Sequence, residues 1–283
     1  MGTTYYLNYN DQIIDQKEQI FTSQNRSYRY GDGLFETIRL IDGELHLFEQ
    51  HIERLFNGVE FLKIKAPKNW NPDFFKQRIM NLFEKNKITK NGRARLSIFR
   101  TDGGLYSPRS SKGDFVIECE EYANEGFPLN KKGLKIDIFT DMEKSTNVYS
   151  NFKTNNSLVY VLASIYKKDN DLDDCLIINS KNRVAEAISS NLFIVKNDQV
   201  ITPPLSEGCV AGVMRTEILD IMNEHKIPHQ ENPVVLEDLF KADEIFMTDS
   251  IKGVRWVNAY KVKRFEFGIA EKLSQLLNKR VSA

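Results

Sequence analysis

Apolar residues recur along this chain with two different periods. Phe48, Ile52, Leu55, Val59 and Leu62 follow steps of four, three, four and three, which predicts a helix with one buried face. Residues 93–100 alternate instead, with Ala94, Leu96 and Ile98 set against Arg95, Ser97 and Phe99, and residues 114–120 alternate again, so both predict strands. Strands are also expected over 5–9 and 35–41, the second closed by Asp42-Gly43, a strong hairpin signal. A second helix is expected from Pro72-Asp73 to Glu84. Residues 122–133 break both periods with Gly126, Pro128 and Lys131-Lys132. They place a linker at 123–133, between a first domain over 1–122 and a second over 134–283. In the second domain the pattern predicts a strand over 134–140 and a helix over 156–168. Short strands follow over 175–179, 183–187, 192–196 and 199–202, with a tight turn at Asn197-Asp198. Helices are then expected after Gly212 and over 267–279.

Composition narrows the function classes. Thirty-nine Lys and Arg balance 39 Asp and Glu over 283 residues, giving a net charge of +0. No global field is left to hold a polyanion or an anionic membrane surface, so neither nucleic acid nor membrane is an expected partner. The longest strongly apolar stretch, 158–166, is far shorter than the ~20 residues of a membrane span. The start MGTTYYLNYND shows no basic or apolar leader pattern, and Gly2 is followed by Tyr6 where a myristoylation signal wants Ser or Thr. The expected location is cytoplasmic. Cys119, Cys175 and Cys209 are odd in number and far apart, which predicts neither a disulfide framework nor a metal site.

Several residues could carry chemistry. Lys153 in SNFKTNNSLVYVLA stands just ahead of an apolar helix, where the positive end of the helix dipole opposes a cation by up to ~1 kcal/mol. That setting suits a Schiff-base lysine, and a solvated loop lysine is the plainer reading. Glu186 shares a strand face with Val184 and Ile188, so its carboxylate needs a cation, such as Arg183, or a bound protonated heterocycle. In SEGCVAGVMRTEIL, Gly208 and Gly212 flank a turn that opens into a helix, whose first N–H groups can cradle a phosphate. Arg54, at the border of the first amphipathic helix, can reach a phosphate with its planar fork or sit in solvent. The basic run Lys85, Lys87, Lys90, Arg93, Arg95 lacks interleaved aromatics and is expected to be a solvated helix end and strand start.

Taken in order, Arg54, Lys153, Glu186 within EAISSNLFIV, TPPLSEGCVAGVMR and FMTDSIKGV form a series that YRYGDGLFETIR opens. From about Tyr28 to Val257 the chain resembles the fold-type IV, class IV aminotransferases, which use pyridoxal 5'-phosphate (PLP). The resemblance implies an α/β (α+β) chain with a small α/β domain and a larger pseudo-barrel α/β domain, PLP as cofactor, and a homodimer. It implies that Lys153 carries PLP as an internal aldimine and moves the α-proton, and that Glu186 meets the pyridine nitrogen. Arg54, the backbone of Val213 and Met214, and Ser250 match the positions that hold the phosphate, with Ser190 and Asn191 also on the cofactor. Val213-Met214 stands where many relatives have Ile-Thr, so one hydroxyl donor is missing.

Tyr28, Arg95 and Arg100 are the expected substrate contacts. The signals for the reaction are mixed. Leu158, five residues after Lys153, replaces the tyrosine of the branched-chain enzymes, as in D-amino-acid aminotransferases and aminodeoxychorismate lyases. Leu105 stands where those two groups place an arginine. Arg95 resembles an arginine of the branched-chain group, whereas Thr37 matches a threonine implicated in the lyase reaction. The leading expectation is an enzyme that transfers an amino group between a small amino acid and a 2-oxo acid. The alternatives are a 4-amino-4-deoxychorismate lyase that releases pyruvate and 4-aminobenzoate, and a non-catalytic protein that keeps the PLP fold.

Overall fold

Two residues with positive φ, Asp42 at 48° and Gly43 at 85°, turn the chain at the hairpin the sequence predicts. The computed structural model describes residues 5–281; Gly2 lies outside the described residues. The chain forms two units, one running to Glu125 and including Phe152–Asn156, the other made of Gly126–Asn151 and the chain from Ser157 onward.

The first unit holds β1 (Tyr6–Tyr9), β2 (Gln12–Asp15), α1 (Arg26–Tyr30), β3 (Gly33–Ile41) and β4 (Glu44–His46). It continues with α2 (Phe48–Phe61), α3 (Pro72–Lys85), β5 (Gly92–Arg100) and β6 (Gly113–Glu121). Its strands make one antiparallel sheet in the order β2-β1-β6-β5-β3-β4. The predicted stripe is buried as expected, with Phe48, Ile52, Leu55 and Val59 of α2 packed on Leu34, Ile38, Ala94, Leu96 and Ile98 of the sheet. Helix α3 starts where Asn71 caps the Phe74 N–H and Pro72 takes a position that needs no N–H. The other sheet face carries the half-buried Phe35, Thr37, Arg95 and Ser97, because successive strand residues point to opposite sides.

The second unit holds β7 (Leu134–Lys144), α4 (Leu158–Asp169), β8 (Asp174–Asn179), β9 (Arg183–Ala187), β10 (Asn191–Lys196) and β11 (Gln199–Thr202). After α5 (Val213–Glu224) come β12 (His229–Glu231), β13 (Val234–Val235), α6 (Leu236–Lys241), β14 (Glu244–Asp249), β15 (Gly253–Tyr260), β16 (Lys263–Arg264) and α7 (Ile269–Val281). Its sheet runs β12-β11-β10-β14-β15-β7-β8-β9-β13, with β16 added beside β15. Strands β9 and β10 are five places apart in that order, which in a flat sheet is roughly 24 Å. Only three residues join them, and four extended steps reach about 14 Å. The sheet must therefore curl, which is the pseudo-barrel form the resemblance implies. Among the described residues no helix is long and apolar enough to cross a membrane.

Candidate active site

Lys153 belongs to the first unit because its segment adds to the edge of β3. Phe35 N–H donates to the Lys153 carbonyl (2.9 Å), Asn155 N–H donates to the Gly33 carbonyl (3.0 Å), and Asn155 also bonds the Ser27 hydroxyl (2.7 Å). The Lys153 ammonium lies 4.5 Å from the centre of the Phe35 ring, and the Arg95 guanidinium lies 3.6 Å from the same centre. Arg95 stands directly opposite Thr37 across the β3–β5 ladder. One sheet face thus gathers Lys153, Thr37 and Arg95 around an aromatic ring that attracts cations. Burial pushes the Arg95 guanidinium below its ordinary value, partly offset by Glu118.

On the opposite, buried side of β3 stands Glu36. One oxygen accepts from Arg54 Nε (2.7 Å); the other accepts from Arg54 Nη2 (2.5 Å) and from His51 Nδ1 (2.7 Å). An ionised carboxylate can only accept, so the His51 proton sits on Nδ1, and the buried Nε2 has no hydrogen-bond partner. Burial raises the Glu36 carboxyl, but the Arg54 charge and the His51 and Arg54 bonds overcome it and hold the group at about 2. Burial first, and then the Arg54 and Lys153 charges, lower the His51 imidazole against the raising effect of Glu36. Arg54 is thereby oriented from behind by a fixed carboxylate. His51 and Glu36 were not singled out in the sequence, although His51 falls one turn from Arg54 on the same helix.

Glu186 sits in the second unit on β9, 3% exposed. Its cation is Lys144, at the end of β7, and not Arg183, which pairs with Glu207 instead (2.9 Å). Glu186 Oε1 accepts from Lys144 Nζ and from the Tyr160 hydroxyl (2.7 Å); Oε2 accepts from the Val210 N–H (2.8 Å). Burial, and then the Glu186 charge, push the Tyr160 phenol upward, so it stays a donor. Burial likewise pushes the Cys209 thiol to about 12. Tyr160 is a residue the sequence reading passed over. It lies two positions beyond Leu158, whose side chain is 61% exposed.

Three residues after Val210 the chain enters α5. Gly212 is its N-cap, and no side chain caps the first turn or places an acid in it. The positive end of the dipole and the amides of Val213 and Met214 are thus left for an anion. A Cβ on Gly212 would overlap Asn191 Oδ1, so glycine is needed for this close approach. Asn191 in turn donates to the Val210 carbonyl (2.9 Å). Ser190 is tied to a different group, accepting from Arg255 (2.8 Å) beside Asp249. Ser250 follows β14 in a turn that Asp249 closes by accepting from the Ile251 and Lys252 amides.

The other two expected substrate residues, Arg100 and Tyr28, lie on β5 and α1. Arg100 is buried and commits four of its five N–H groups, two to Asp32 and one each to the Lys63 and Leu62 carbonyls. It holds the fold together. Tyr28, on α1, is 82% exposed in the single chain.

The family model for class IV amino-transferases matches residues 33–260. The chain is 30% identical over 236 residues to an aminodeoxychorismate lyase of Vibrio harveyi, covering 81% of this chain and 83% of that one. It is 27% identical over 251 residues to a putative branched-chain-amino-acid aminotransferase of Methanocaldococcus jannaschii, covering 84% and 82%. Its fold matches the branched-chain aminotransferase of Thermoproteus uzoniensis with a TM-score of 0.90 at 20% identity, over 98% of this chain and 95% of that one. A match of this extent, spanning the segments that carry Lys153, Glu186 and the α5 N-terminus, shows that the chain belongs to the class IV aminotransferases, the fold-type IV family of PLP-dependent enzymes.

Proposed function

We propose that this protein is a PLP-dependent aminotransferase that passes an amino group between a small amino acid and a 2-oxo acid. The observation that carries the reading is the face of the first unit on which Lys153, Arg95 and Thr37 meet around Phe35. The donor set fits PLP. An uncapped helix start with a glycine at its tip suits the phosphate, as does an arginine held by Glu36. The buried carboxylate of Glu186 suits a basic ring nitrogen.

When bound, PLP supplies an electron sink for the carbanion formed at the substrate α-carbon. Lys153 would hold the cofactor, and its Nζ would take up the α-carbon proton as a base and give it back as an acid. Arg54, its fork held by Glu36, would bind the phosphate, as would the Val213 and Met214 amides. Asn191, against Gly212, borders the α5 tip, and Ser250 would be a further phosphate contact in keeping with the family pattern. Glu186 would accept a hydrogen bond from the ring nitrogen. Arg95 offers a charge to the substrate carboxylate, and Tyr28 belongs to the same substrate side. In keeping with the family, we read the protein as a homodimer. The outer stripe of α4, with Leu158, Val161, Leu162 and Ile165 exposed, supports this. A protein that sediments as a monomer would refute it.

A second reading is favoured by Thr37 and by the 30% identity to an aminodeoxychorismate lyase. In it, the Thr37 hydroxyl assists loss of pyruvate from aminodeoxychorismate, leaving 4-aminobenzoate. One panel separates the two: purified, PLP-loaded protein with L- and D-amino acids and 2-oxoglutarate or pyruvate, beside aminodeoxychorismate. Amino transfer faster than pyruvate release, and little affected by Thr37→Val, is the expected result. Pyruvate release at a comparable rate that collapses by ~10²-fold or more in Thr37→Val would overturn it. Absence of every turnover would leave a PLP-fold protein without catalysis.

A further inference from the structure

Lys144 plays no part in the resemblance, yet its ammonium is the cation on Glu186. It lies at the C-terminal end of β7 and is 8% exposed. Lys144 Nζ donates to Glu186 Oε1 and to the Tyr160 oxygen (2.7 Å), and the Tyr160 hydroxyl donates to the same Oε1 (2.7 Å). Oε1 thus has both its acceptor directions filled. Oε2 takes one bond, from Val210 N–H at 2.8 Å, which leaves one direction open for a further donor.

We propose that Lys144 is a positioning residue that turns Glu186 so that Oε2 faces the PLP ring nitrogen and, by neutralising the carboxylate, tempers how readily that nitrogen holds a proton. The proposal rests on the reading that Glu186 meets the ring nitrogen. A lone buried carboxylate opposite a pyridine draws a proton onto it strongly. A carboxylate already paired with an ammonium does so less, because the new positive charge is repelled by the one already there. The other titratable groups packed on this site do not supply the charge. Tyr160 on α4 and Cys209 in the turn before α5 are both pushed upward by burial and stay neutral. Arg215 has its own anion, since its Nη2 donates to Glu231 (2.5 Å) and to the Pro203 carbonyl (3.1 Å). Lys144 is therefore the group that sets the field at Glu186. Its effect falls on the strength of the electron sink.

The test uses the whole protein loaded with PLP that is ¹⁵N-labelled at the ring nitrogen, without substrate, and follows the nitrogen resonance with pH. Lys144→Met is expected to move the protonation midpoint up by about one unit or more, a tenfold change in proton affinity. Lys144→Arg keeps the cation and is expected to stay near wild type. Lys144→Gln can still bond Tyr160 and serves as the neutral variant if Lys144→Met does not fold. An unchanged or lowered midpoint in either neutral variant would overturn the proposal. So would a neutral variant that folds but no longer loads PLP, since a tempering group is not needed for loading. Glu186→Gln separates the two layers. If the nitrogen does not respond to that change, Glu186 does not face the ring, and the underlying reading fails along with the proposal.

Discussion

Replacing Glu36 by glutamine removes the charge that ties Arg54 and His51 to β3 while keeping the side-chain shape. The carboxyl lies at about 2 against an ordinary 4.5, although burial alone would raise it. A gap of that size corresponds to about 3 kcal/mol of folding free energy. Because the folded value is the depressed one, this contribution is complete above about pH 4.5 and is lost as the pH falls toward 2. At neutral pH the variant also leaves the partly buried Arg54 guanidinium without its anion, which adds a loss of about 1–3 kcal/mol. Denaturant unfolding of both proteins, repeated from neutral pH downward, reads the effect directly. The stability gap between wild type and Glu36→Gln should be widest near neutrality and shrink by about 3 kcal/mol through the acid window. PLP affinity of the variant should fall as well, since Arg54 loses its orientation. Parallel stability curves, with a gap independent of pH, would show that Glu36 is not the paired, ionised group this geometry describes.

Further outcomes follow from other parts of the molecule. Gly212→Ala brings a Cβ onto Asn191 Oδ1 at the tip of α5, so PLP affinity measured by fluorescence titration should drop on the order of tenfold, with the unfolding transition largely kept. Arg100→Ala leaves Asp32 with Arg26 as its partner but strips the Lys63 and Leu62 carbonyls of this donor, and denaturant unfolding should show a loss of about 3 kcal/mol. Burial holds Cys119 at about 11 and Cys175 and Cys209 at about 12, so at about pH 8 iodoacetamide should label the native protein far more slowly than the unfolded chain, as read by mass.

Elements that face one core along several turns were legible from their period alone. Helix α2 and strands β5 and β6 appear within a residue of their predicted bounds, and the φ values of Asn197 and Asp198, 50° and 60°, match the predicted tight turn. Short elements escaped, since β13 and β16 have two residues each and show no period. Strand β7 runs to Lys144 where the pattern predicted its end at residue 140, so the lysine that meets Glu186 looked like part of a loop. That contact joins residues 42 apart in sequence, and local spacing carries no signal of it. The pairing of Lys153 with the edge of β3 is similarly non-local. Buried arginines were also invisible. Arg39 has no exposed surface and donates to the Leu40 and Gly92 carbonyls, whereas composition alone places arginines in solvent. The order of the motifs, by contrast, pointed to the family, because five motifs that are loose alone become specific when they occur in one order.

The central claim is that Lys153 is the residue that carries the cofactor. Borohydride reduction of the PLP-loaded protein, followed by peptide mapping, tests it most directly. The account predicts a single reduced phosphopyridoxyl group on the peptide that contains Lys153, and none in Lys153→Ala protein that still binds PLP reversibly. A reduced group on Lys144 or any other lysine, or none at all in fully loaded wild-type protein, would contradict it.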